Sequence, residues 1–182
     1  MSEIARAEPL LADRFANRAV TLEAAEPASR ISLRANEEGA ASFQESLGFD
    51  LPMEANHSAN ANGRFALWLG PDEWLVIDEI NPSETMVPKL PNRNFAAVDV
   101  SHRNTAINVS GPGAERTLNS GCPRDLSVDA FPVGACARTI LGRAEIVLLR
   151  TGEESFRVEC WRSFAPYVWA YLKDGARDAT NG

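Results

Sequence analysis

Histidine occurs twice in the 182 residues and cysteine three times, and no two cysteines stand in a C-x-x-C spacing. Cys122, Cys136 and Cys160 are an odd, scattered set, which argues against a disulfide framework and against a structural zinc site. They read as buried free thiols. His57 and His102 are too few for a histidine-rich metal centre, and His57 sits in the polar stretch 54–63, which has the composition of a mobile loop. No segment approaches the roughly 18 continuous apolar residues of a membrane span. The first thirty residues hold no apolar leader core, and Glu3, Glu8 and Asp13 are acidic where a transit peptide is not. A cytoplasmic location is expected. Positive charge is short as well: 18 Lys and Arg against 25 Asp and Glu leave a net charge of −7. A run of phosphate contacts would start from the wrong sign, so nucleic acid is not an expected partner.

What the chain does have is material for a core. With 45% hydrophobic and 24% charged residues, it suits one compact domain or two small fused units. Residues 1–29 show weak periodicity broken by Pro9 and Pro27, and are expected to form an irregularly packed N-terminal arm. From Arg30 the pattern sharpens. Ile31 and Leu33 alternate as in a strand; Asn36 can cap a helix with Ala40, Phe43 and Leu47 on one face, and Gly48 stops it. Phe65–Leu69 and Trp74–Ile77 are apolar runs joined by Gly70-Pro71-Asp72-Glu73, residue types that suit a four-residue hairpin turn. A short helix is expected near Ser83–Leu90.

A similar series follows: a strand with Ile107 and Val109, a helix from Pro112 to Ser120 stopped by Gly121, and strands around Thr139–Leu141 and Ile146–Leu149. Phe156, Val158 and Cys160 alternate as one more strand. Phe164, Tyr167, Val168, Tyr171 and Leu172 then make a helical stripe, with Ser163 as N-cap, Pro166 in the first turn and Gly175 as stop. The predicted class is α+β, with two tandem strand-helix-strand-strand units and antiparallel or mixed sheets. The units span 30–95 and 96–175, the second including the final helix, and 176–182 form a polar tail.

Three places invite a chemical reading. Asp99-Val100-Ser101-His102 supplies the residue types of a hydrolase triad, but strand neighbours point to opposite faces, so Ser101 and His102 do not converge. The segment does show a change of parity, from Val98 and Val100 to Ile107 and Val109, which predicts a bend or bulge within Ser101–Thr105. That bulge either serves packing or touches a ligand or partner. Ser110-Gly111-Pro112-Gly113-Ala114-Glu115 lacks the third glycine of a dinucleotide loop and the Gly-Lys-Ser/Thr of a P-loop. It reads as a helix start, with Pro112 in first position and Glu115 at the positive end of the dipole.

The hairpin is apolar on both sides. A four-residue loop would set Phe65, Leu67, Leu69, Trp74 and Val76 on one face and Ala66, Trp68, Leu75 and Ile77 on the other. One helix layer covers one face, so the second must meet another sheet, the other unit or a different polypeptide. Ile146 and Leu148, against Val147 and Leu149, pose the same question. Trp169 lies about 130° from the centre of the last helix's stripe at 100° per residue, which places a large aromatic on a solvent face, as an anchor for a partner.

Phe65-Ala66-Leu67-Trp68-Leu69-Gly70-Pro71-Asp72-Glu73-Trp74-Leu75, Val98-Asp99-Val100-Ser101-His102-Arg103 and Val109-Ser110-Gly111-Pro112-Gly113-Ala114-Glu115-Arg116 together resemble the gamma-subunit family of heterotetrameric sarcosine oxidases, over roughly residues 30–175. The second and third motifs are shared more widely with folate-dependent aminomethyltransferases, and the resemblance implies part of that fold. It implies a subunit of a complex that demethylates sarcosine to glycine, yielding hydrogen peroxide and methylenetetrahydrofolate. The implied partners are alpha, beta and delta subunits, with FAD, FMN, NAD and tetrahydrofolate mainly in the alpha and beta subunits and zinc in the delta subunit. No cofactor, metal or catalytic residue is implied in this chain. Trp68, Trp74, His102, Arg103 and Trp169 are the candidate partner contacts. The alternative is a small folate-binding transferase with its site near Asp99–Arg103.

Overall fold

Strands that are apolar on both faces need cover on both, and here two antiparallel sheets stack against each other between two layers of helix. The computed structural model describes residues 13–89 and 94–180. It begins with the paired strands β1 (Arg14–Ala16) and β2 (Thr21–Ala24). β3 (Ser29–Ala35) leads into two short helices, α1 (Glu37–Ala41) and α2 (Gln44–Leu47). Asn36 caps α1 by accepting the Gly39 N–H at 2.8 Å, and Gly48 closes α2 at φ 84°, as those residue types predict. The strands β4 (Ser58–Ala61), β5 (Arg64–Gly70) and β6 (Glu73–Asp78) form a meander that returns beside β3. β7 (Phe95–Asp99) pairs with the other side of β3.

The second half repeats this path. After β8 (Asn104–Ser110) and α3 (Ala114–Asn119), the strands β9 (Cys136–Leu141), β10 (Ala144–Gly152) and β11 (Ser155–Trp161) meander back beside β8, and α4 (Ala165–Asp178) ends the fold. The sheet orders are β4-β5-β6-β3-β7 and β1-β2-β8-β11-β10-β9. The duplicated unit is therefore a strand, a helical segment and a three-stranded meander, one strand more than the predicted unit.

Side-chain alternation sorts the core into three layers. Ile31, Leu33, Ala66, Trp74 and Val76 meet Ala40, Phe43 and Leu47 under the first helices. Ile107, Val109, Ile146, Leu148, Phe156 and Val158 meet Leu118, Val168 and Leu172 under α3 and α4. Between the sheets, Leu67, Leu75 and Ile77 pack on Cys136 and Leu149. The second apolar face of the β5–β6 hairpin is thus covered by the second sheet within the chain.

Several expectations change. Residues 13–24 are not an irregular arm: β2 pairs with β8 and widens the second sheet. The part of the arm before residue 13 lies outside the described residues. The stretch 54–63 is not a loop, because its end is the hairpin of β4 and β5, turned by Asn62 (φ 51°) and Gly63 (φ 79°). Asn-Gly is the dipeptide that tolerates both positive φ angles. The helix expected near Ser83–Leu90 is a single turn over Ser83–Thr85; Leu90 itself lies outside the described residues. The loop between β5 and β6 is shorter than four residues, since a bulge at Leu69 lets Trp68 pair with Trp74 and Gly70 with Glu73. That shifts the register by one, so Phe65 and Leu67 share a face with Leu75 and Ile77. Gly175 does not stop α4, which runs to Asp178 and buries Ala176 and Ala179 where a polar tail was expected. The N-cap is Phe164, not Ser163, and the buried stripe is Ala165, Val168, Leu172 and Ala176, leaving Phe164 and Tyr167 exposed. Finally, the unit boundary falls after Asp99, because β7 belongs to the first sheet.

Candidate functional site

The parity change around Ser101 has a cause other than a bulge. β7 and β8 lie in different sheets, and Val100–Arg103 is the turn that carries the chain across. Its polar groups hold that turn. Asp99 accepts the Ser83 hydroxyl at 2.6 Å and the Ser101 N–H at 2.8 Å, while the Ser101 hydroxyl oxygen accepts the Arg30 N–H at 2.8 Å. Burial pushes the Asp99 carboxyl up, but the hydrogen bonds from Ser101 and Ser83 and the nearby His102 outweigh it and hold the pKa below the ordinary value. Asp99 and Ser101 are thus committed to folding the turn, while His102 and Arg103 stand exposed at its tip.

Ser110–Glu115 is likewise a packing device. Gly111 sits at φ +111°, where an added Cβ would come within 2.5 Å of the Ala19 carbonyl oxygen, and the Gly113 N–H donates to that oxygen at 3.0 Å. Pro112 falls in the turn before α3, which starts at Ala114 rather than at the expected Pro112. The three thiols are free and buried, as expected. Burial pushes the Cys136 and Cys160 thiols up to about 12, so neither presents a thiolate near neutrality. Among the described residues, no three His, Cys, Asp or Glu side chains are gathered to hold a metal ion. No helix among them is long and apolar enough to cross a membrane.

The candidate contact residues separate. Trp74 is 1% exposed and its indole N–H donates to the Pro52 carbonyl at 2.7 Å, so it is core and not a contact. Trp68 is half-buried and borders two core layers. Trp169 is half-buried against the layer under α4, and so loses its place as a solvent-facing anchor. The reason is the widened second sheet: Asn17 donates to the Ala176 carbonyl and Lys173 lies over the Phe15 ring, so the N-terminal strands flank α4. His102 and Arg103 remain on the surface, and Arg103 lies over the ring of Trp161, 5.4 Å from its centre. Trp161, which periodicity did not single out, and Phe164, expected in the apolar stripe of the last helix, are exposed aromatics with ring centres 6.0 Å apart. The odd parity of Trp161 against Phe156, Val158 and Cys160 was the available signal.

Between the sheets lies a buried ionic group. Glu159 accepts Arg30 Nε at 2.6 Å and Arg157 Nε at 2.8 Å, and Arg157 Nη1 reaches Glu79 at 2.7 Å. Burial pushes the Glu159 carboxyl up, but Arg30 and Arg157 more than offset it, and the net direction is down. The charges are spent on one another and pin β3 to β11.

A family model described as "Sarcosine oxidase, gamma subunit family" matches residues 33–178. The chain belongs to the sarcosine oxidase gamma subunit family. Its relatives in this family include the sarcosine oxidase subunit gamma of Corynebacterium sp. (strain U-96), 33% identical over 162 residues, covering 86% of this chain and 79% of that one. The Arthrobacter sp. subunit gamma is 34% identical over 145 residues, covering 77% and 71%. Among solved structures, the gamma-family fold matches a chain of the heterotetrameric sarcosine oxidase from Corynebacterium sp. U-96 in complex with pyrrole 2-carboxylate. The TM-score is 0.85 at 29% identity, with 96% of each chain covered. Aminomethyltransferase T of the Bartonella henselae glycine cleavage system matches at TM-score 0.65 and 13% identity, over 85% of this chain and 45% of that one. That second likeness is one of fold.

Proposed function

We propose that this chain is a non-catalytic gamma subunit of a sarcosine oxidase complex, assembled with alpha, beta and delta subunits. The complex demethylates sarcosine to glycine, passing electrons to oxygen as hydrogen peroxide and the one-carbon unit to tetrahydrofolate. FAD, FMN, NAD, tetrahydrofolate and zinc belong to the partner subunits, and the assembly is cytoplasmic. The observation that carries the reading is the full-length match, 96% of both chains, to a chain of a heterotetrameric oxidase. The site geometry supports it: Asp99 and Ser101 are tied into a turn, Glu159 and its arginines pair among themselves, and what remains at the surface is an Arg-aromatic cluster of the kind that anchors protein partners. The test is expression of the alpha, beta and delta subunits with and without this chain. A complex that contains it in stoichiometric amount and loses activity or stability without it supports the reading; a fully active complex that never incorporates it contradicts it.

A further inference from the structure

The two sheets do not cover each other completely, and strand register locates the gap. On the second sheet, Asn104 pairs with Trp161 and Glu145 with Ile140, and these four side chains form one row on the face turned to the first sheet. The next row inward, Ala106, Glu159, Val147 and Arg138, meets the first sheet through Arg30–Glu159 and Glu73–Arg138. From β11 to β9 the outer row lacks such cover, with Trp161 43% and Ile140 46% exposed, while at β8 Asn104 keeps its side-chain oxygen buried. On the first sheet, the row Leu67, Leu75, Ser32, Val98 runs from core to solvent, with Leu67 at 0% and Val98 at 58% exposed. Leu67 and Leu75 pack on Cys136 and Leu149, so the uncovered β7 side of one sheet opens on the same side as the Trp161 row of the other. The sandwich therefore has a wedge-shaped mouth, with Val98 and Ala96 on one wall and Trp161 and Ile140 on the other.

We propose that this mouth is a docking groove for an extended, acidic segment of a partner subunit, which adds as a strand along the outer edge of β7. The inference rests on the subunit reading above. Among the described residues β7 pairs with β3 alone, so its outer edge carries the backbone donors and acceptors that an added strand uses. A segment of about five residues matches the length of β7 and places alternate side chains in the apolar wedge. Charge sets the rest. The chain is acidic overall at −7, yet the mouth is flanked by Arg103, stacked on Trp161 with no carboxylate partner among the described residues, and by Arg143 in the β9–β10 turn. A carboxylate of the segment meets Arg103 there. Glu145, in the row between Trp161 and Ile140, gives the segment its polarity, with the acidic end at Arg103 and a neutral or basic side chain over Glu145.

The test uses the co-expressed complex, with a photo-crosslinking amino acid at position 98 or 140 and peptide mapping of the adducts. Both positions are expected to cross-link to one acidic segment of a partner subunit. Arg103→Glu combined with Trp161→Ala should weaken partner binding at least about tenfold while the chain stays folded by far-UV circular dichroism, and Arg103→Lys should retain most of the binding. Adducts to a second copy of this chain, or unchanged partner binding by the double variant together with no adducts in a complex that still forms, would overturn the proposal. A chain that never joins the complex refutes the subunit reading itself, and this inference with it.

Discussion

Glu159 is held between Arg30 and Arg157, each within 2.8 Å, and all three side chains are almost fully buried. Glu159→Gln keeps the shape but leaves the Arg30 guanidinium without its counter-charge and Arg157 with Glu79 alone, and breaking such a buried pair costs about 3–5 kcal/mol. Urea denaturation should show a loss of that size, whereas Glu23→Gln at the exposed Arg14 pair should change stability by less than about 1 kcal/mol. The same residue sets a pH dependence. The Glu159 and Asp78 carboxyls both lie below their ordinary values; burial raises each, and the arginines and hydrogen bonds around them more than compensate. A depressed folded-state pKa stabilises the fold above the unfolded value and ceases to do so as pH falls through the folded one. Stability should therefore hold from neutrality down to about pH 4.5 and decline below it, a trend that denaturation midpoints across pH 3–7 would check. None of this was legible beforehand, because an arginine and a glutamate 129 positions apart carry no pattern that pairs them.

At the scale of elements, the readable parts were those governed by local physics. Asn36 and Gly48 bound the first helical segment, and the alternation of Ile31, Leu33, Phe156 and Val158 gave strands. The failures had non-local causes. The polar composition of 54–63 hid β4, although Asn62-Gly63 carried a hairpin signal. The bulge at Leu69 reversed the register of the tryptophan hairpin, and the crossing between sheets at Val100–Arg103 looked like a bulge because parity need not continue from one sheet to another. Ser110–Glu115 tests the packing account of its glycines. Gly111→Ala would force a side chain into φ +111° and onto the Ala19 carbonyl, so the β2–α3 junction should lose on the order of 1–3 kcal/mol, measurable as a lower melting temperature. A substitution without effect would mean that the junction relaxes freely.

In the whole molecule, the surplus of apolar strand surface is resolved mostly internally: two duplicated units turn their second faces to each other, and helices cover the outer ones. That fold class was legible from the repeated strand-helix-strand pattern, while the incomplete overlap of the sheets was not, since it depends on how the two units stack. The central claim is that the chain contributes surface to an oxidase and no chemistry of its own. Its most direct test is hydrogen peroxide release from sarcosine by the purified chain, assayed beside the complete complex. The account predicts turnover by the complex and none by the chain alone; sustained peroxide formation by the isolated chain would contradict it.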